Sequence, residues 1–403
     1  MTQLDPRLNP FREDLAAASL QDRVRAQRYA EAEVRQVAAP AAPIRVAPRF
    51  DAPLATEALS GELLSAYEFR EGWAWVQLHE DGYVGYTPVD CLSSMIEENT
   101  YRVSARLTYL YPAPDMKRPP VTKLSFSCTV APIGRPEGRF VELSRGGFIF
   151  ADHLVGIRER AKDFVRVAER FVGVPYLWGG KTSLGIDCSG LVQIALQAAG
   201  VPCLRDSDMQ MASVGEPLDP ANIEAIQRGD LLFWKGHVAI AQSADWMVHA
   251  SGHHMEVVVE PVRRALERTA ESHGPLLAIL RPPVEQMAPP AQKAPAAQQP
   301  PRKGPAQPAA TAAKGQAPAP APAPAPSPGV AAAQANTPPA AQPAPTSAPA
   351  EAQIESAAQI VAAKIHASLS AAPQQRGERA AEPKQAQGQK PRPAEKPNPA
   401  GTS

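Results

Sequence analysis

The sequence has no excess of charge of either sign: 41 Lys and Arg stand against 41 Asp and Glu. That balance argues against a nucleic-acid partner, and no basic amphipathic stretch points to a membrane surface. Cysteine is scarce. Cys91, Cys128, Cys188 and Cys203 lie far apart with no C-x-x-C pair. This spacing is wrong for a zinc site and too sparse for a disulfide framework, so no metal is expected and no other cofactor is implied. No uninterrupted apolar run is long enough to form an integral membrane segment. The opening MTQLDPRLNPFREDLAAASL has no basic segment ahead of an apolar run and does not read as a signal peptide. Together these features predict a cytoplasmic protein with reduced thiols, where a reactive cysteine is at home.

What is present falls into blocks. From 284 to 403 the chain is Pro, Ala and Gln with almost no aromatics. Such a composition cannot bury enough surface to offset its ordering entropy, so this tail is expected to be disordered. Within it Ile354, Ala358, Val361, Ile365 and Leu369 recur at spacings of three and four, the stripe of a nascent amphipathic helix over 351–369. The Pro-rich tail leaves room for an unknown protein partner. Residues 1–40 read as a charged N-terminal arm with short helical patterns. Residues 41–155 alternate apolar and polar between turn signals such as EGW and EDGY, which predicts two small barrels, 41–97 and 98–155.

Past residue 155 the pattern becomes helical. Ile157, Ala161, Phe164, Ala168 and Phe171 form one stripe, ended by Gly173. Leu191, Val192, Ala195, Leu196 and Ala199 form a second, closed by Gly200. Strand-like runs follow: GDLLFW, HVAIAQS, WMVHAS, MEVVVEPV and LLAILRP. Helices first and antiparallel strands after define an α+β domain over 156–283.

Its chemistry centres on GIDCSG, residues 185–190. Cys188 stands among polar neighbours where a helix begins. The unpaired amides there favour a thiolate and predict a pKa below the usual value of roughly 8.5. A thiolate nucleophile needs a proton carrier, most often histidine. GHVAIAQSADWMVHAS reads as a hairpin with its turn centred on Ser243, which places His237 and His249 directly opposite each other. Cys188, His237 and His249 then fill the roles of nucleophile, base and orienter, the orienter being an imidazole rather than a carboxylate. His153, His253, His254 and His273 lack that symmetry and are expected on the surface. GGKTS is no phosphate loop, because Pro175 occupies the position of the required first glycine.

PYLWGGKTSLGIDCSGLVQIALQAAG, QRGDLLFWKGHVAIAQS and MVHA resemble the NlpC/p60 family of bacterial cysteine peptidases over 156–283, and the upstream strands resemble bacterial SH3-like domains. The resemblance implies a papain-like α+β fold, cleavage of amide bonds in cell-wall peptides, catalysis by Cys188, His237 and His249, and an oxyanion site involving Tyr176. RDSDMQ at 205–210 is similar to the subgroup of cytoplasmic γ-D-glutamyl-L-diamino acid endopeptidases. These recycle murein peptides that bear a free N-terminal L-Ala. By that resemblance Asp187, Ser189 and Ser207 hold the substrate amine and first residues, and a barrel closes the groove through Glu62 and Tyr86. Asp187 is equally read as a helix N-cap. Two other readings stay open: an exported wall endopeptidase acting on intact peptidoglycan, and a non-catalytic interaction protein working through its barrels and Pro-rich tail.

Overall fold

A computed structural model describes residues 4–283. The tail 284–403, with the helix expected over 351–369, lies outside the described residues. In the first forty residues the short helices expected from the sequence are replaced by extended chain. One 3-10 turn, Ala18–Leu20, separates strands Leu15–Ala17 and Arg28–Ala30, which pair in parallel. Strand Glu33–Val37 then joins the first barrel by pairing with Leu63–Arg70.

That barrel is a seven-stranded antiparallel sheet in the order 54–59, 41–45, 84–88, 73–78, 63–70, 33–37, 92–93. Alternation along Ala41–Arg45 and Val84–Pro88 sends every second side chain inward. Val37, Ile44, Leu64, Val76, Leu78 and Tyr83 fill the interior. The second barrel is built from a three-stranded sheet around Tyr101–Val103 and a five-stranded sheet around Leu107–Tyr111. Its core does not stand alone. Val103, Leu124, Phe126 and Ile149 belong to the same apolar cluster as Phe164, Phe171 and Leu191 of the following domain. Phe126 meets Phe171 edge-on with ring centroids 6.0 Å apart.

The α+β domain opens with helix α1, Phe164–Glu169, capped by Asp163 through the Val165 and Arg166 amides. It is shorter than the stripe from Ile157 suggests. Leu154–Gly156 is still a strand paired with Tyr101–Val103, so the chain is extended just before Ile157 and turns helical only at its cap. Helix α2, Cys188–Ala198, is buried on nearly every side. Each of Leu191, Val192, Ile194 and Leu196 contributes roughly 1.5–3 kcal/mol by leaving water. Gly200 follows with φ of 85°, the left-handed stop expected there.

Helix α3, Ser207–Ser213, and helix α4, Val262–His273, were not apparent from the pattern. Only Val262, Ala265 and Thr269 of α4 are buried, too thin a stripe to stand out in VRRALERTAESH. A six-stranded antiparallel sheet completes the domain in the order 216–218, 278–281, 231–234, 237–241, 246–251, 256–261. Helix α2 lies against it, with Leu191 and Val192 in one cluster with Val238, Ile240 and Val248.

Candidate active site

The site is assembled where the start of α2 meets the strands His237–Ala241 and Trp246–Ser251. Asp187 fixes the helix end. One carboxylate oxygen accepts from the Gly190 amide at 2.7 Å and the Ser189 hydroxyl at 3.3 Å. The other accepts from the Gly179 amide at 2.8 Å and Arg205 Nη2 at 2.8 Å. The N-cap role is therefore occupied, and the ion pair with the fully buried Arg205 neutralises the charge. An incoming ammonium would join four donors already in place.

Arg205 is the hub that sequence reading missed. Beyond Asp187 it donates to Ser189 Oγ at 2.7 Å, to the Gly180 carbonyl at 3.2 Å and to Thr56 Oγ1 of the first barrel at 2.9 Å. A charged side chain in a loop gives no sequence sign that it will be buried; RDSDMQ was visible only as a family resemblance. Gly179 completes the seam. Its φ is 76°, and a Cβ there would meet the Leu54 carbonyl of the barrel at 2.6 Å. Glycine is what lets the two backbones approach so closely.

Cys188 is 6 % exposed. Burial, and after it the negative charge of Asp187, push its thiol up to about 12, although the Val238 and Ser189 amides and Arg205 act the other way. Seclusion from water thus works against the resting thiolate that the helix end favours. Tyr176 stands by this sulfur. Burial first, then the charges of Cys188 and Asp187, hold its phenol in the neutral form.

His237 directly precedes Val238, whose amide faces the sulfur. Its Nε2 lies 2.8 Å from His249 Nδ1, the two rings 5.0 Å apart and inclined at 68°. The two histidines are not directly opposite, as the Ser243-centred turn predicts. Ala241 pairs with Met247 and Ile240 with Val248, so Ala239 would stand across from His249 and His237 lies on its diagonal. Ser243 Oγ accepts from the Asp245 and Trp246 amides and carries the turn one residue further. Diagonal side chains on one sheet face still reach each other. Burial, and then the neighbouring His249, lower the His237 pKa well below the usual imidazole value. His249 is also lowered, chiefly by burial, against the pull of Glu260. His273 is not a free surface residue: from the end of α4 it brings its ring within 5.4 Å of His237.

The sequence also hid a carboxylate behind the orienter. His249 Nε2 lies 2.7 Å from Glu260 Oε1, and Arg268 of α4 donates to the same oxygen. Although burial works the other way, the hydrogen bond from His249 and the nearby cations hold the Glu260 carboxyl below its ordinary value.

The two barrel residues expected in the groove are engaged with partners of their own. Glu62 pairs with the fully buried Lys181 at 3.0 Å, locking barrel to domain. The Tyr86 hydroxyl accepts from Arg12 at 3.1 Å, in a groove it shares with Glu68, Trp73 and Trp75 of the barrel. The barrel carboxylate beside the Arg205 cluster is Glu57, which accepts from the Lys181 amide at 2.7 Å. Ser207 opens α3, half-buried, next to Asp206. Among the described residues no cluster of His, Cys, Asp and Glu is suited to a metal ion, and no helix is long and apolar enough to cross a membrane.

A cysteine at the head of a buried helix, with a hydrogen-bonded imidazole pair on the antiparallel sheet that the helix packs against, is the set of parts a thiol hydrolase uses. Residues 173–270 match the NlpC/P60 family and residues 44–92 match the bacterial dipeptidyl-peptidase Sh3 domain. The chain thus carries an NlpC/P60 domain with a bacterial SH3 domain ahead of it. It is 40 % identical to dipeptidyl-peptidase 6 of Lysinibacillus sphaericus over 25 % of this chain and 36 % of that protein. It is 26 % identical to a gamma-D-glutamyl-L-lysine dipeptidyl-peptidase of Bacillus cereus, over 52 % of this chain and 71 % of the other. The match therefore spans about a third of the first relative and over two thirds of the second. The solved structure of an NlpC/P60 family protein from Bacillus cereus shares the fold, with a TM-score of 0.52 and 20 % identity over 62 % of this chain and 99 % of that one.

Proposed function

We propose that this chain is a cysteine peptidase that hydrolyses the γ-D-glutamyl–diamino acid bond of murein peptides with a free N-terminal L-Ala, in cytoplasmic peptide recycling. The observation that carries the chemistry is the buried Cys188 thiol at the head of α2, met by the amide of Val238 next to His237, with His237 hydrogen-bonded to His249. The substrate class is supported by the names of the relatives and by the barrel packed against the site at Gly179 and Arg205.

His237 takes the Cys188 proton as the sulfur attacks the γ-amide carbonyl. The oxyanion that forms is met by the neutral Tyr176 hydroxyl and the Ser189 amide. The imidazolium gives its proton to the leaving diamino acid amine. His237 then draws a proton from water, which attacks the thioester and releases L-Ala-γ-D-Glu with the thiol restored. Ser207 and the barrel carboxylate Glu57 form the polar end of the groove for the substrate ammonium; Asp187 and Ser189, already engaged by Arg205, act through that network. Glu57 is the better barrel candidate than Glu62, whose charge is already spent on Lys181.

Mass spectrometry of products from L-Ala-γ-D-Glu-diamino acid, beside its N-acetylated form, tests the reading. Release of L-Ala-γ-D-Glu from the free peptide alone, abolished in Cys188→Ala, is the expected result. Equal turnover of both peptides would remove the free-amine requirement, and an active Cys188→Ala variant would remove the mechanism.

A further inference from the structure

His237, His249 and Glu260 come from three neighbouring strands, and each stands on the diagonal of the next. Ala239 would stand across from His249, and Val258 pairs with His249. Residues two apart on a strand share a face, so the three side chains line up on one side of the sheet. Their contacts form an unbroken run: Glu260 Oε1 to His249 Nε2 at 2.7 Å, then His249 Nδ1 to His237 Nε2 at 2.8 Å.

That run has a direction. An ionised carboxylate only accepts, so the proton between it and His249 sits on Nε2. A neutral His249 then has a bare Nδ1, which accepts from His237 Nε2–H. His237 is left with a bare Nδ1, the form that can receive the thiol proton. We propose that Glu260, held by Arg268, is a positioning residue that fixes the proton of His237 on Nε2 from two rings away and so keeps its Nδ1 free as the base for Cys188. This rests on the cysteine–imidazole reading above.

Arg268 has its own part. Without a cation on Glu260 Oε1, the carboxylate would draw a second proton onto His249. A doubly protonated His249 donates from both nitrogens. His237 Nε2 must then accept, and its proton moves to Nδ1, the wrong side. The charged and titratable groups around the run are few. His237 faces His249 and His273, with Arg268 nearby; His249 faces Glu260, with Arg268 and His254 nearby. All but Glu260 are cations or imidazoles.

The test uses the full chain with nitrogen-15-labelled histidine, and reads ring tautomers by NMR and the rate of Cys188 alkylation by iodoacetamide against pH. Neither readout involves the peptide substrate, so an error in the substrate assignment leaves the test intact. The wild type is expected to show His237 protonated on Nε2. Glu260→Leu is expected to lose that signature and to slow alkylation near neutral pH by about 10–100-fold, the range for outer partners of ligating histidines. Glu260→Gln retains an acceptor oxygen and is expected to restore the tautomer and most of the rate. Arg268→Met should move the acid limb of the alkylation profile to higher pH. A wild-type His237 protonated on Nδ1 would overturn the proposal. So would a folded Glu260→Leu chain with wild-type tautomer and rate. If that variant does not fold, an Arg268→Met profile with an unmoved acid limb overturns it.

Discussion

Replacing His237 by Ala isolates the sulfur from its proton acceptor, and the consequence can be worked out. Burial raises the Cys188 thiol from 9.0 to about 12, a bias of about 4 kcal/mol against the anion. At a given pH below 9 the Cys188 thiolate is then about 10³-fold scarcer than that of a thiol with the reference value. Greater basicity makes each thiolate more nucleophilic, by about 20-fold at a Brønsted slope near 0.4–0.5. The net deficit is about 50-fold. The assay is pseudo-first-order alkylation with iodoacetamide from pH 6 to 10, with the modified peptide quantified by mass spectrometry. His237→Ala should react about 50-fold more slowly than an exposed thiol and gain about tenfold per pH unit, with no inflection. The wild type should be faster near neutral pH because His237 supplies the acceptor. The refuting result is a thiolate ultraviolet absorbance in the wild type at neutral pH that is missing from Cys188→Ala. An inflection below pH 8 in His237→Ala would refute it equally, since either means the sulfur rests ionised.

Two further outcomes concern stability. His237 and His249 both have folded pKa values below the ordinary imidazole value, chiefly through burial, so between those values the unfolded chain binds more protons. Stability should therefore be full above about pH 6.5 and decline as pH falls through the lowered values. Denaturant midpoints at pH 7 and 5 measure this, and a midpoint that is unchanged or higher at pH 5 contradicts it. Arg205→Met leaves Asp187 buried beside a thiol without its cation, and should cost about 3–5 kcal/mol in chemical denaturation; a loss below about 1 kcal/mol would show that the pair is not the anchor described here.

The sequence revealed what depends on local order. Alternation along Leu63–Arg70 marked a barrel strand, and the Asp187 and Gly200 ends of α2 were legible because caps are local devices. The hairpin carrying both histidines was legible too, but its register was not, because one side-chain oxygen of Ser243 decides where the turn closes. What escaped depends on distant chain. The upward push on the Cys188 thiol reflects how deeply its surroundings enclose it, and no neighbour in GIDCSG reports that. Glu260 reads as one polar residue in a strand, and becomes part of the site only when α4 turns back and presents Arg268 to it. Arg205 and Lys181 are charged residues with nothing in their local sequence to mark enclosure, yet they are among the most enclosed side chains in the fold.

The apolar cluster shared by the second barrel and the peptidase fold means that these modules are not beads on a string. With Phe126 set against Phe171, Lys181 locked to Glu62 and Arg205 to Thr56, a cut near residue 156 would bare a greasy face and leave the Lys181 cation without its carboxylate. The nucleophile's scaffold thus leans on the barrels for part of its core and for a counter-charge.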